Sequence, residues 1–143
     1  MTDTLAALRC LVQSGVAQAQ AELERCGKKW EQDSLVMDKW FALHATQPGA
    51  GTADRLKALL EHPAFSMTNP NKVRALVGAF AMSNPTGFHD ASGAGYRFVA
   101  DRVIELQGIN PQIAARIASA FNHWKRYDPL RSRLMQTELQ RIA

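Results

Sequence analysis

Four times in this chain an Asn or Asp stands directly before a Pro, at Asn69-Pro70, Asn84-Pro85, Asn110-Pro111 and Asp128-Pro129. Asn and Asp side chains accept hydrogen bonds from the first unpaired amides of a helix. Proline suits the first helical position because its φ is already helical and its missing N–H had no partner there. Three of the pairs are followed at once by an apolar pattern of helical period and predict helix starts, whereas Asn84-Pro85 predicts a short turn or a single helical turn. The chain is therefore predicted to be a series of separately started helices.

The apolar residues predict which face of each helix turns inward. Apolar residues three and four positions apart are typical of one helical face. The predicted buried faces, helix by helix, are Leu5, Leu8, Leu11 and Val12; Val16, Ala19 and Leu23; Val36, Trp40 and Leu43; Leu56, Leu59 and Leu60; Val73, Leu76, Val77 and Phe80; Phe98, Val99, Val103 and Leu106; Ile113, Ile117, Phe121 and Trp124; and Met135, Leu139 and Ile142. The second helix is predicted to end near Gly27, Thr52 to cap the fourth, and Pro48–Gly51 to form a loop.

These segments predict an all-α fold. No run of alternating apolar residues is bounded by hairpin turns, so the sequence predicts no strand. Short helices joined by short loops pack as neighbouring pairs. We expect an irregular helical solenoid or superhelical bundle of roughly eight short helices in antiparallel pairs. The chain is expected to form a single helical domain over residues 1–143.

Composition is that of a globular protein without a membrane anchor. Hydrophobic residues make up 46% and charged residues 21% of the chain, a balance that is not typical of disorder. No apolar run approaches the roughly 18 residues of a membrane span, and the N-terminus lacks the basic and apolar regions of a secretory signal. Cys10 and Cys26 lack metal-ligand spacing, so we expect reduced thiols in a cytoplasmic protein with no membrane partner.

The net charge of +4 raises the question of a nucleic-acid partner. The basic residues form only short clusters, at Lys28-Lys29, Lys125-Arg126 and Arg131/Arg133, and acidic residues interleave with them along most predicted helices. The sequence has neither a clustered basic face nor an aromatic stacking platform. We therefore expect solvated helix faces and no nucleic-acid partner.

The sequence contains no self-contained catalytic motif. None of the four histidines is followed by Glu or has a His partner four residues on, so the zinc-hydrolase motif His-Glu-x-x-His is missing. A Gly-x-Ser-x-Gly elbow, a phosphate-binding Gly-Lys-Ser/Thr loop and a Gly-x-Gly-x-x-Gly motif are missing as well. We expect no catalytic residue, metal site or cofactor within this chain.

Several stretches are more distinctive than their hydrophobic pattern requires. Residues 35–46 read LVMDKWFALHAT and residues 65–80 read FSMTNPNKVRALVGAF. Shorter motifs follow in order: SNP at 83–85, GYRF at 95–98, NPQIAAR at 110–116 and KRYD at 125–128. Together these resemble the C-terminal helical domain of the bacterial aminopeptidase N family, zinc metallopeptidases of the gluzincin clan. The resemblance covers nearly the whole chain in colinear order.

The resemblance implies that catalysis and enclosure of the substrate belong to different domains of the enzyme. In that family the zinc ligands, the glutamate base and the Gly-Ala-Met-Glu-Asn motif lie in an upstream catalytic domain, and zinc is therefore expected in the parent enzyme only. The helical domain closes over the catalytic domain and walls the chamber that short peptides enter. The implied partners are the catalytic domain of the same polypeptide and peptide substrates. The family's domain usually continues beyond the KRYD region for longer than residues 128–143 do here.

Three residues correspond to family positions that look into that chamber, and the resemblance implies substrate binding by Arg74, Gln112 and Arg116. Gln112 and Arg116 are four residues apart, hence on one helical face, away from the predicted core positions Ile113 and Ile117. All three are expected early in helices, where the dipole favours anionic groups. Arginine can also bind a carboxylate or a peptide carbonyl with two hydrogen bonds. Ordinary surface positions are the alternative.

Two other classes of function stay open at this point. The chain is alternatively a stand-alone helical-repeat protein-interaction module, because irregular solenoids often present concave binding faces. A free chain of this kind would expose the surface that normally meets the catalytic domain, so self-association of the isolated chain is expected. A basic nucleic-acid binder is the third reading, which salt-dependent retention on heparin would support.

Overall fold

The computed structural model describes residues 2–14, 17–48 and 51–143. Its α-helices are α1 (Thr2–Ser14), α2 (Gln18–Lys29), α3 (Ser34–Ala45), α4 (Thr52–Leu59), α5 (Pro70–Val73), α6 (Ala79–Ser83), α7 (Pro85–Phe88), α8 (Ala94–Gln107), α9 (Pro111–Ala118) and α10 (Pro129–Ile142). A π-helical segment, Arg74–Gly78, joins α5 to α6 in one continuous run, and 3₁₀ turns occupy Ser119–Phe121 and Trp124–Arg126. These residues contain no strand, and the predicted all-α fold is confirmed.

The Asx-Pro pairs start helices as predicted. In each case the proline is the first helical residue and the Asn or Asp before it is the cap. The cap hydrogen bonds run from the amides of Asn71, Gly87, Ile113 and Arg131 to the side-chain oxygens of Asn69, Asn84, Asn110 and Asp128. Their lengths of 3.0–3.3 Å are those of ordinary N–H···O bonds, so each cap satisfies an amide that the helix itself cannot pair.

Asn84 does more than cap α7. Its side-chain nitrogen donates to the carbonyl oxygens of Ala45 and Gln47, at 2.8 and 2.9 Å. Ala45 is the last residue of α3, and carbonyls at a helix end have no partner within the helix. The buried amide of Asn84 therefore satisfies the end of α3 and the start of α7 at the same time.

The predicted apolar faces form the core. All of the predicted inward residues of α3, of the run 70–83 and of α8 are buried, and aromatic rings from successive elements meet edge to face near the middle of the chain. The rings in this cluster are Phe80, Phe88, Tyr96, Phe98 and Phe121. Neighbouring elements along the chain contact one another, with α8 lying against α4, α7, α9 and α10. This is the packing expected of a helical solenoid.

Close backbone packing holds α7 against the first turn of α8. A Cβ placed on Gly95 would lie 2.5 Å from the carbonyl oxygens of both Gly87 and Phe88. No real Cβ tolerates such a distance, so only glycine lets these two helices approach this closely.

The predicted cap of α4 was wrong by one residue. The cap of α4 is Gly51, whose φ of 84° is left-handed, and Thr52 is the first helical residue, with its hydroxyl donating to the carbonyl of Gln47 at 2.9 Å. The second helix, α2, ends at Lys29, which confirms the predicted end near Gly27. The indole of Trp40 lies directly on Gly27, where an added Cβ would be 2.8 Å from the ring. Gly27 thus allows α2 and α3 to pack closely near the end of α2.

Some other boundaries differ from the sequence predictions. The helix predicted from Ile113 to Trp124 ends at Ala118, and Phe121 and Trp124 lie in the two 3₁₀ turns that follow. Phe121 is buried as predicted, whereas Trp124 is only partly buried. Val16 and part of the predicted loop, residues 49–50, lie outside the described residues. Cys10 and Cys26 are free thiols, the first exposed and the second buried.

His44 is a buried titratable residue on α3. Its ring packs edge-on against Trp40, with 4.4 Å between centroids, and its Nε2 atom has no hydrogen-bond partner among the residues described. Burial, reinforced by the nearby Arg55 and His62, lowers the pKa of His44 to about 4. The folded protein therefore holds this imidazole neutral at neutral pH.

We predict that replacing Asn84, which caps α7 and also donates to two carbonyls, lowers the free energy of unfolding more than replacing a residue that only caps a helix. Asn84→Ala removes a cap and two bonds to carbonyls, so a loss of about 2–3 kcal/mol is expected in urea unfolding. Asn69→Ala is the matched control, since it removes only a cap before a proline, and a loss of about 1 kcal/mol is expected. Equal losses for the two variants would contradict the second role of Asn84.

We also predict that His44 makes the fold sensitive to acid. Its pKa is about 4 in the folded chain and 6.5 ordinarily, so between these pH values the unfolded chain binds more protons. The free energy of unfolding should therefore fall as the pH drops through this window, by roughly 3 kcal/mol from this residue. His44→Gln should flatten that slope and the exposed-site control His123→Gln should keep it; equal slopes in urea titrations across pH would refute the assignment.

Candidate functional site

Arg74 is the first of the three predicted site residues along the chain. It is exposed and begins the π-helical segment, five residues into the helical run that starts at Pro70. Among the residues that the structure describes, its guanidinium makes one weak hydrogen bond, from Nη1 to Oδ1 of Asn71 at 3.5 Å. Most of its N–H donors are therefore available to a ligand on the solvent side of this segment.

Gln112 and Arg116 lie together on α9. Both are exposed, and the residue that follows each of them, Ile113 and Ile117, is buried as predicted. One exposed face thus presents an amide and a guanidinium one helical turn apart. Hydrogen-bond donors in this arrangement suit carbonyl and carboxylate groups of a peptide.

The predicted position of Arg116 within its helix was wrong. Because α9 ends at Ala118, Arg116 lies in the last turn rather than early in the helix. The dipole at that end stabilises the positive charge of Arg116 itself and does not attract an anion. The helix N-terminus therefore supports anion binding only beside Gln112, the second residue of α9.

The structure does not join the three residues into one hydrogen-bonded cluster. Gln112 and Arg116 share a helix, whereas Arg74 lies on a different element, and within residues 2–14, 17–48 and 51–143 no hydrogen bond or ion pair links it to either. A ligand common to all three residues would therefore contact two different elements.

Lys72 is a buried residue beside this candidate site that the sequence analysis did not identify. Its side chain is only 5% exposed and forms an ion pair with Asp38, at 2.5 Å. The sequence does indicate that Lys72 lies on the buried face of its helix, because it is four and eight residues before the core positions Leu76 and Phe80. A lysine on an apolar stripe normally extends to solvent, so the partner on α3 could not be inferred.

A second polar cluster lies where α7, α8 and the start of α10 meet. The phenol of Tyr96 and Nδ1 of His89 are 2.7 Å apart, and the His89 ring stacks on Tyr127 at 4.3 Å between centroids. Arg131 donates from Nε to the backbone carbonyl of His89 at 2.6 Å. Burial raises the pKa of Tyr96 to about 12, so the phenol stays neutral in this contact with the imidazole.

This cluster borders an open groove of about 760 Å³, which also contains Asp90, Arg126 and Asp128. Burial, with a smaller contribution from Arg131, lowers the pKa of His89. The two carboxylates are already engaged, Asp90 with the amide of Ser92 and Asp128 with the capped turn of α10. The interactions therefore fix how α10 meets α7 and α8.

Neither a metal-binding cluster nor a membrane-spanning helix is found among the described residues. In the part of the chain that the structure describes, no three His, Cys, Asp or Glu residues lie close enough to hold a metal ion. Over the same residues, no helix combines the length and the apolar character that crossing a membrane would require.

Comparison with known sequences identifies relatives along the whole chain. A family model described as "Domain of unknown function (DUF3458_C) ARM repeats" matches residues 1–143. The chain is 43% identical over 143 residues to aminopeptidase N of Haemophilus influenzae, covering 100% of this chain and 16% of that protein. It is 42% identical over 142 residues to aminopeptidase N of Escherichia coli K12, covering 99% and 16%. Aminopeptidase N of Caulobacter vibrioides is 42% identical over 143 residues, with 100% and 17% covered.

A solved structure shares the fold. The crystal structure of Legionella pneumophila aminopeptidase A in complex with aspartic acid superimposes with a TM-score of 0.91 at 37% identity, covering 99% of this chain and 17% of that one. The chain spans about one sixth of the length of these relatives. It belongs to the DUF3458_C ARM-repeat family and is similar over its full length to the C-terminal part of bacterial aminopeptidase N.

Proposed function

We propose that residues 1–143 form the C-terminal, non-catalytic domain of a zinc aminopeptidase that removes N-terminal residues from short peptides. The observation that carries this proposal is the 42–43% identity over the whole chain to one part of much longer aminopeptidases. In the complete enzyme this domain walls the active-site chamber and controls which substrates enter. Its partners are the catalytic domain of the same polypeptide and peptide substrates, in the cytoplasm.

The chemistry of such an enzyme is divided between its domains. Zinc, when bound in the catalytic domain, polarises the scissile carbonyl and activates water. The residues of this chain contribute enclosure and substrate positioning, which raise the rate by holding the peptide in a reactive geometry and by excluding bulk water.

Arg74, Gln112 and Arg116 are the residues that we assign to the peptide. All three are exposed, and the single contact of Arg74 to Asn71 is long, so their donors are available. Each can donate to backbone carbonyls on the leaving-group side of the scissile bond or to the C-terminal carboxylate of a short peptide. Placing these groups on two separate elements suits an extended ligand better than a compact one.

A stand-alone interaction module is the second candidate, and exposed apolar side chains favour it. Leu35, Met82 and Leu130 are 74%, 53% and 51% exposed. In the complete enzyme the catalytic domain would cover part of this surface, whereas in the isolated chain it would promote self-association. The two candidates differ in the DNA upstream of Met1, which should encode His-Glu-x-x-His and a later zinc-ligating glutamate if the domain belongs to an aminopeptidase.

We predict that substrate affinity depends on the two arginines. In the full-length enzyme, Arg74→Ala or Arg116→Ala should raise KM for short peptides by about tenfold, because a hydrogen bond to a charged group is worth about 1.5–3 kcal/mol. The control is Arg133→Ala, which removes another exposed arginine. Unchanged KM values across several peptides would remove the substrate-binding role.

We further predict that the isolated domain is inactive. The purified 143-residue chain should neither retain zinc after dialysis nor cleave an alanyl chromogenic amide, while the full-length enzyme should do both. Zinc is measured by atomic absorption and turnover by release of the chromophore. Turnover by the isolated chain that a chelator abolishes would overturn the proposal.

A further inference from the structure

We propose that Lys72 is a positioning residue that sets the direction in which Arg74 leaves the fold. The inference rests on the proposed function, since it assigns Lys72 a role in peptide binding through Arg74. It comes from one buried ion pair, the helical geometry between positions 72 and 74, and the π-helical segment that begins at Arg74.

The ammonium group of Lys72 is fully hydrogen-bonded. It donates to the carbonyl oxygen and the hydroxyl of Ser34, at 2.8 and 2.9 Å, and to Oδ1 of Asp38 at 2.5 Å. An ammonium has three N–H donors, so each is used once. Three bonds in different directions fix the position of the Lys72 side chain far better than apolar contact alone would.

The partners of Lys72 belong to a firmly held element. Ser34 and Asp38 lie in the first two turns of α3, where the cap Asp33 accepts hydrogen bonds from the amides of Leu35 and Val36. The same helix is buried in the core through residues that include Met37, Trp40 and Phe41. The hydrogen bonds of Lys72 thus hold the short helix α5 in a fixed position relative to α3.

The geometry of α5 transmits this constraint to Arg74. Two residues correspond to about 200° of rotation around a helix, so an inward Lys72 directs Arg74 outward. The helix α5 has only four residues, from Pro70 to Val73, and the chain then enters the wider π-helical segment. Such segments shift the direction of side chains relative to an α-helix and occur often at functional sites.

The energetics also favour a positioning role over simple stabilisation. A buried ion pair gains little net stability, because removing both charges from water offsets their attraction. The neighbouring residues Val73, Leu76 and Val77 are already fully buried and hold the run by apolar contact. The ion pair instead fixes the orientation of the helical run, because apolar contacts allow a helix to rotate whereas hydrogen bonds require particular directions.

A double-mutant cycle in the full-length enzyme tests the inference. Lys72→Met should raise KM for short peptides at least about threefold with little change in kcat, since small misplacements of binding groups have large effects. In the Arg74→Ala background the same substitution should have no further effect on KM. Asp38→Asn is the milder second variant and should act in the same direction if Lys72→Met does not fold.

The control is Asp101→Asn, which breaks the ion pair between Asp101 and Arg141 that joins α8 to α10, far along the chain from Arg74. It should leave KM unchanged. Hydrogen exchange of the same proteins provides a readout independent of catalysis, and Lys72→Met should lower the protection of amides 73–78 at least about threefold.

The possible results separate the two proposals. If Arg74→Ala leaves KM unchanged, the proposed function of Arg74 fails and the positioning role falls with it. If Arg74→Ala raises KM but the effect of Lys72→Met is absent or fully additive to it, the positioning role alone is overturned. Unchanged exchange at residues 73–78 would overturn it as well.

Discussion

The structure depends on satisfying the ends of short helices. Helices of four to fourteen residues are marginal in isolation, because few of their backbone groups are paired internally. Asn84 illustrates the solution, since one buried side chain satisfies the last carbonyl of α3, the carbonyl of Gln47 just after it and an amide at the start of α7. Elements distant in sequence are thereby joined through their ends, and apolar faces complete the core between them.

The parts of the fold that could be predicted from sequence are those that depend on residues close together in the chain. Asx-Pro caps and apolar stripes are local signals, because the cap and its amide are two or three residues apart and a stripe repeats every turn. Helix starts at Asn69, Asn84, Asn110 and Asp128 were therefore predicted correctly, as were the buried faces of α3 and α8. The family resemblance, which rests on motifs in fixed order, was also confirmed.

What could not be predicted depends on contacts across the fold. The contact of Gly27 with the ring of Trp40 is one example, since sequence indicated only a nearby helix end. Thr52 looks like a cap until Gly51 is found in the left-handed conformation. Arg116 lies in the last turn of α9 because the helix ends at Ala118 and a 3₁₀ turn follows. The spacing of apolar residues does not indicate this change. For the candidate site, sequence identified exposed side chains but not Lys72, whose partners are more than thirty residues away.

The contact between Gly95 and the backbone of α7 limits how this chain can change over time. An added methyl group there would meet carbonyl oxygens, which cannot move aside as a flexible side chain can. Random mutagenesis should consequently recover substitutions at neighbouring exposed positions such as Arg97 and leave position 95 invariant. The residue permitted at position 95 is decided by a backbone neighbour rather than by hydrophobicity, and a recombination boundary placed between residues 88 and 95 would separate two backbone segments that pack directly against each other.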